Sequence, residues 1–347
     1  MTTGLCLDWE GKRPASIPDP APALEQISQF EGAELEPSGN RLIQGDNLAV
    51  MAALLPEYTG KLNLIYLDPP FFTGKEWFIQ SPAGTRRNSL AYDDVWNDDI
   101  GLYLQWLYDR LSCARRLLSD TGVIYLHLNW QAAHYAKLLM DEIFGIEQFQ
   151  NDIIWCYREA INSKVRWNRK HDNILFYSKT ANFTFNSSEV LQPYSENTVK
   201  KFRNRDDKGP YRLMGRGITD SPLRSKRDIP AQMESLFPEL TYRHYLGEGT
   251  LPVDYWNIDI ENQASAKRTG YPTQKPEELL ERILLASSNP GDLVADFCCG
   301  SGTTAAVAHK LGRTWIACDV GEQSLGICTA RMTALSANFT LERTASY

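Results

Sequence analysis

The feature that most constrains this chain is a recurring unit: a short apolar run without polar alternation, followed by a helix-patterned stretch. Leu62-Asn63-Leu64-Ile65-Tyr66-Leu67, Val123-Ile124-Tyr125-Leu126-His127-Leu128 and Leu293-Val294-Ala295-Asp296-Phe297 are such runs. A strand that is apolar on both sides has to be covered on both faces. Shorter runs at 41–44, 153–157, 173–177 and 314–318 bring the strands to seven. Amphipathic stretches follow at 48–55, which Pro56 is expected to stop, at 101–118, at 130–144, from Pro276 as the first helical residue, and at 301–311. The pattern predicts an α/β fold, a doubly wound and mostly parallel seven-stranded sheet. No helix pattern separates the runs near 155 and 175, so they are expected to pair antiparallel, giving one reversed strand.

The rhythm fails in three places. Residues 1–38 hold Pro14, Pro18, Pro20, Pro22 and Pro37 and read as an irregular arm, with a short helix near Leu24–Phe30. Residues 72–98 read as loop. Residues 180–268 are polar, with scattered Pro and Gly. The domains expected are therefore the arm 1–38, a first catalytic part 39–180, an insertion 181–268 and a second part 269–347.

Net charge, −7 for the whole chain, argues against a nucleic-acid partner until its distribution is read. Between Arg158 and Arg227 sixteen Lys/Arg face seven Asp/Glu, and Tyr157, Trp167, Phe202 and Tyr211 lie in or beside that stretch. Basic residues interleaved with stacking rings are a nucleic-acid footprint. The candidate nucleic-acid contacts are Arg158, Lys164, Arg166, Arg169, Lys200, Lys201, Arg203, Arg205, Arg224, Lys226 and Arg227, with Lys75 nearer the N-terminus. No run approaches a membrane span, and Met1–Gly11 has no apolar segment of the secretory kind. Seven cysteines without a C-x-x-C pair fit a reducing cytosol rather than a disulfide scaffold, and the five histidines have no metal-ligand spacing.

Two motifs carry chemistry. Asp296-Phe297-Cys298-Cys299-Gly300-Ser301-Gly302-Thr303-Thr304 joins a strand to a helix, where small residues let backbone N–H groups approach a ligand. Asp319 ends the next strand, placed to accept ribose hydroxyls. Gly300, Gly302 and Ala305 also satisfy the dinucleotide pattern, so an NAD oxidoreductase is a rival, although only 28 residues follow Asp319. The second motif, Asp68-Pro69-Pro70-Phe71, closes a buried strand. Its carboxylate, its donor-free proline carbonyls and its aromatic side chain can hold a planar ring bearing an exocyclic amine.

With these residues the chain resembles the β-group DNA amino-methyltransferases, in which the catalytic motif precedes the cofactor motif. Leu42-Ile43-Gln44-Gly45-Asp46-Asn47 is similar to the family's strand whose acid contacts the cofactor adenine. Asp68–Phe71 with Thr73-Gly74-Lys75 is similar to its catalytic region, and Tyr271-Pro272-Thr273-Gln274-Lys275-Pro276 to the segment before its cofactor strand. The resemblance covers about 39–180 and 269–335. It departs where Phe297 and Cys298 replace Pro and Phe, and where Phe72 replaces a common Asn.

The resemblance implies S-adenosylmethionine as cofactor and duplex DNA as substrate. It makes Asp68, Pro69, Pro70 and Phe71 catalytic. Cofactor contacts fall on Asp46, Asn47, Asp68, Pro69, Thr273, Lys275, Asp296, Phe297, Cys298, Gly300, Ser301, Gly302, Thr303 and Asp319, with no metal. Within that set, Asp46 meets the adenine, Asp319 the ribose, and Thr273 and Lys275 the carboxylate. The target base is flipped out of the stack onto Phe71, and the insertion recognises the sequence. Asp in the catalytic motif favours adenine N6 over cytosine N4. A non-catalytic DNA-binding relative, or a methylase of RNA or protein glutamine, are the other readings. A homodimer, a separate restriction endonuclease and a cytoplasmic, nucleoid-associated location are what such a protein admits.

Overall fold

The computed structural model describes residues 6–32, 39–79, 89–158, 163–216, 229–261 and 268–345. They form two compact units, 187–253 and the remainder of the chain. In chain order the larger unit holds β1 (Leu24–Phe30), β2 (Arg41–Gln44), α1 (Asn47–Tyr58), β3 (Leu62–Leu67), β4 (Lys75–Ile79), β5 (Ser89–Asp94), α2 (Ile100–Leu117), β6 (Leu118–Leu128), α3 (Ala133–Phe144), β7 (Phe149–Cys156) and β8 (His171–Ser178). The smaller unit supplies α4 (Glu196–Val199), β9 (Asn204–Asp206), β10 (Gly209–Gly215), α5 (Gln232–Leu236) and β11 (Thr241–Tyr245). The chain then returns with β12 (Tyr255–Asn257), α6 (Glu277–Ser287), β13 (Leu293–Asp296), α7 (Thr303–Lys310), β14 (Thr314–Asp319), α8 (Glu322–Ala334) and β15 (Phe339–Thr344).

The central sheet runs β1-β15-β2-β14-β13-β3-β6-β8-β7-β12. The seven expected strands are its inner seven, and among them only β8 opposes its neighbours, pairing antiparallel with β6 and β7. The expected count was three short. β12 extends one edge in parallel to β7, β15 lies parallel to β2, and β1 pairs antiparallel with β15. The helix expected at Leu24–Phe30 is thus a strand. Its partner lies at the far end of the chain, where Phe30 stacks on Phe339 with ring centroids 4.5 Å apart. The expected loop 72–98 contains the antiparallel pair β4–β5. α1 runs past Pro56, which sits in its last turn, and Pro276 precedes α6 as its cap rather than opening it.

Successive residues of each inner strand go to opposite layers. Ile65 and Leu67 pack with Met51 and Leu54 of α1 and Leu107 and Leu111 of α2; Leu64 and Tyr66 pack with Leu279 and Ile283 of α6 and Ala306 of α7. This double covering is why the strands lack alternation. β3 and β13 are parallel neighbours whose following helices lie on opposite faces. The crevice at their carboxyl ends is where ligands bind in open α/β sheets. Asp68, the turn after Asp296, and Asp319 all fall at that edge.

In the smaller unit, β9, β10 and β11 form an antiparallel sheet. Arg243 pairs with both Asp206 and Glu234 at 2.7 Å, and the Tyr245 hydroxyl donates to Asp206 at 2.8 Å.

Candidate active site

A cavity of about 520 Å³ opens at this edge, within the larger unit. Its wall includes Asp68, Pro69, Pro70 and Phe71 beside Asp46, Asn47, Thr273, Lys275, Asp296, Phe297, Cys298, Gly300, Ser301, Thr303 and Asp319. Every residue assigned to catalysis or cofactor from sequence is there except Gly302. That glycine, at φ +73°, lies against α8, where a Cβ on it would collide with the Cys328 sulfur. Gly300, at φ +49°, does border the cavity, and a Cβ on it would come within 2.9 Å of the Tyr271 ring.

Asp68 has two unlike oxygens. Oδ2 accepts from Lys275 Nζ at 2.5 Å, while Oδ1 is buried and accepts nothing among the described residues. Lys275 also stands over the Phe71 ring, 5.3 Å from its centroid. Tyr103 donates to the Pro70 carbonyl at 2.9 Å, whereas no hydrogen bond reaches the Pro69 carbonyl among the described residues. Two neighbouring acceptors therefore remain open, as a primary amine requires.

The loop carrying these groups is held by Asp94, which is fully buried. Its carboxylate accepts from the backbone N–H groups of Phe71, Phe72 and Thr73, from the Thr73 hydroxyl and from Trp96 Nε1, at 2.6–3.2 Å. Phe72, at φ +61°, is strained for a bulky residue. Asn tolerates that conformation better, which accounts for Asn being common there in the family that the motifs resemble. Gln131 donates to the Phe72 carbonyl at 2.9 Å.

Across the cavity, Asp319 accepts from Gly300 N at 2.9 Å and Gly321 N at 2.8 Å. Asp296 accepts from Cys298 N and from the Thr304 hydroxyl, yet burial pushes its carboxyl up to about 7. Burial, helped by the Asp296 charge, also holds the Cys298 thiol well above its ordinary value, which disfavours the thiolate. Arg331 donates to Ser301 O and Thr303 Oγ1 and pairs with Glu277, bracing the turn from behind. Asp46 is more committed than its expected adenine contact suggests. One oxygen caps α1 at Leu48 N and Ala49 N, and the other pairs with Arg110 at 2.5 Å. Arg110 also bonds Asn47 and lies on Trp106, a cavity-wall ring.

The wall thus presents Asp46, Asp68, Asp93, Asp296 and Asp319 against Lys275. An acid-lined cleft with stacking rings and a glycine at its turn suits a cationic nucleoside. It does not suit a pyrophosphate, which would meet carboxylates where it needs donors.

The family model for N6/N4 DNA methylases matches residues 62–329, most of the chain and all but the Asp46 end of this cavity. The chain belongs to that family. It is 33% identical to the type II methyltransferase M.EcaI of Enterobacter cloacae over 81% of its own length and 66% of that protein's, so it spans slightly under two thirds of that relative. It is 26% identical to the DNA adenine methyltransferase YhdJ of Escherichia coli, over 85% of this chain and 83% of YhdJ. Among solved structures, the cytosine-N4-specific PvuII DNA methyltransferase shares the fold at a TM-score of 0.53 and 16% identity, over 87% of this chain and 89% of that one.

The candidate DNA contacts of this methylase-family chain fall in both units. Lys75, Arg158, Lys164, Arg166 and Arg169 are exposed in the larger one, beside Trp167, which is 95% exposed. The Arg169 guanidinium stacks 3.4 Å from the Trp130 ring centroid, and Arg158 approaches Asp259 at 3.9 Å. Lys200, Lys201, Arg203 and Arg205 are exposed in the smaller unit. Arg224, Lys226 and Arg227 lie outside the described residues. Asp94, Arg110, Trp106, Arg331 and His127 were not assigned from sequence; Asp94, Arg110, Arg331 and His127 act on residues distant in the chain, and Trp106 enters the site beside Arg110.

Asp296 gives a stability prediction. Its folded pKa lies above the usual carboxylate value, so its contribution is present in acid and is lost as pH rises towards about 7. Urea unfolding between pH 5 and 8 is expected to show a downward slope in stability with rising pH that Asp296→Asn flattens. Equal slopes in both proteins would refute the assignment.

Proposed function

We propose that this chain is a site-specific DNA methyltransferase that modifies adenine N6. The observation that carries the reading is Asp68 Oδ1, a buried acceptor left open at the wall of an acid-lined cavity, beside the Phe71 ring. S-adenosylmethionine, held by the turn 296–303, Asp319 and Asp46, supplies a methyl group on positively charged sulfur. Asp68 Oδ1 and the Pro69 carbonyl accept the two amine N–H bonds, which draws the nitrogen from planarity and frees its lone pair. Phe71 stacks on the flipped base. Fixing the amine in line with the donor supplies much of the rate. Adenine is favoured by Asp in the catalytic motif, and YhdJ lends support as a relative named for that base. Unit 187–253, with Lys200, Lys201, Arg203 and Arg205, is the candidate for target recognition, within the broader insertion read from sequence. Duplex DNA in the cytosol is the expected partner, and a homodimer or a separate endonuclease would be additional ones.

The test is single-molecule sequencing of genomic DNA from a methylation-deficient host expressing the chain. Methylated adenine at one recurring short sequence is expected. Methylated cytosine at a recurring sequence would overturn the base, and an unmodified genome with a folded protein that binds S-adenosylmethionine would move the reading to another substrate or a missing partner. A second prediction concerns the cofactor: Asp319→Ala is expected to weaken S-adenosylmethionine binding by about tenfold or more, as for a lost charge-assisted hydrogen bond. Calorimetry giving an unchanged Kd would remove Asp319 from the site.

A further inference from the structure

Behind Asp68 a row of polar side chains runs into the sheet. His127 of β6 is fully buried. Its Nδ1 lies 2.8 Å from the Tyr66 hydroxyl and 3.7 Å from Asp68 Oδ1, and its Nε2 lies 3.5 Å from Asp172 Oδ2 on β8. Asp68 Oδ1 and His127 Nε2 are both buried atoms without a hydrogen-bond partner in the described structure. The imidazole is edge-on to Trp155 and tilted against Phe71, with centroids 5.3 and 5.4 Å away. An apolar residue would fill this space without leaving polar atoms unpaired, so packing does not explain the row.

The geometry selects a tautomer. Asp172 can only accept, so it favours the hydrogen on Nε2. Nδ1 then carries a lone pair, to which Tyr66 donates, and that lone pair also looks towards Asp68. A carboxylate setting the tautomer of a histidine behind a reacting group is the arrangement of a general base.

We propose that Asp68, His127 and Asp172 form a proton relay for the methyl transfer. This rests on the methyltransferase reading above. As the amine lone pair bonds to the methyl carbon, the sulfur–methyl bond breaks and its electron pair leaves with sulfur. The nitrogen then holds a positive charge and a surplus proton. That proton passes to Asp68 Oδ1, the oxygen that Lys275 leaves free, and from there to His127 Nδ1 as the Tyr66 hydroxyl turns aside. Asp172 balances the imidazolium until the proton returns to solvent. His127 and Asp172 act through Asp68 and are positioning residues in that sense. The titratable and charged groups around the imidazole are Tyr66 and Asp68 at the β3 end, Asp172 on β8 and Tyr157, which donates to Asp172 at 3.4 Å; Lys275 and Asp296 lie beyond Asp68.

Two readouts test this. The first is imidazole nitrogen NMR of the ¹⁵N-histidine-labelled protein, which has five histidines to assign, and it needs no turnover. His127 is expected as the Nε2–H tautomer, shifting towards Nδ1–H in Asp172→Asn. An Nδ1–H tautomer in the wild type would overturn the relay. The second is single-turnover methylation across pH. His127→Asn and Asp172→Asn are expected to lose about 100-fold in rate, the low end for general acid–base catalysis, with S-adenosylmethionine affinity retained. His127→Asn should also lack the acid limb of the wild-type profile. Active wild type with both variants within threefold, and an unchanged profile, overturns the relay alone. A wild type that methylates no DNA overturns the function proposed above and the relay with it. If His127→Asn does not fold, Asp172→Asn decides the matter.

Discussion

Asp68→Ala is expected to reduce methyl transfer by more than about a thousandfold, while S-adenosylmethionine binding changes by less than about fivefold. The substitution removes the open acceptor Oδ1, leaving the Pro69 carbonyl alone to hold a primary amine. Loss of a single preorganised partner of a reacting group costs about 10²–10³ in rate, and here the proton's first acceptor goes with it. Asp68→Asn keeps an oxygen but must turn an amide N–H₂ either to Lys275 or to the incoming amine, both of them donors. It is therefore expected to be nearly as impaired. Removing the charge leaves the mostly buried Lys275 ammonium without its carboxylate, with the Thr273 carbonyl at 3.3 Å as its remaining acceptor among the described residues, so the fold must be checked alongside. Calorimetric titration with S-adenosylmethionine does so, because the pocket proposed for it draws on the ends of β13 and β14 as well as on the loop after β3. An Asp68→Ala protein that binds cofactor and still methylates at a tenth of the wild-type rate would remove Asp68 from the chemistry.

What could be read from the sequence follows from how local its causes are. The inner seven strands were legible because each is buried on both faces and so is apolar throughout. The two motifs were legible because strand-end turns concentrate Gly, Pro and Asp within a few residues. β1 was misread as a helix because Leu24, Ile27 and Phe30 recur at a spacing of three and the strand's partner, β15, lies some three hundred residues away. β12, three residues long, gives no periodic signal. Within the site, sequence placed Asp68, Asp296 and Asp319 on the cavity. The close approach of Gly302 to Cys328 of α8 was not legible, since a glycine that admits a ligand and one that admits a helix look alike in one dimension. His127 was indistinguishable from a core histidine, because Asp68, Tyr66 and Asp172 come from other strands or their ends.

Asp94 is the strongest case of a residue that only the fold could reveal, and Asp94→Asn is the other substitution with a large expected effect. One carboxylate collects five donors from the catalytic loop and Trp96, and among them is the N–H of Phe72, whose left-handed backbone is strained by about 1–3 kcal/mol. Hydrogen bonds to a buried charge contribute about 1.5–3 kcal/mol each, so the carboxylate outweighs the strain several times over. Asparagine would turn an N–H₂ group towards at least one of those donors and remove the charge that strengthens the rest. Release of Phe72 moves Phe71 and, through Pro70, the Pro69 carbonyl, and a displacement near 1 Å at a reacting centre costs about a hundredfold in rate. The expected result is therefore a fall of at least about a hundredfold in single-turnover methylation. Hydrogen exchange should speed up at the amides of Phe71, Phe72 and Thr73 and stay slow in β3 and β13. Protection concentrated there, and lost together with the rate, would place the effect in the loop and not in global stability. Wild-type exchange at the three amides in Asp94→Asn would mean that Tyr103 and Gln131 hold the loop without the carboxylate.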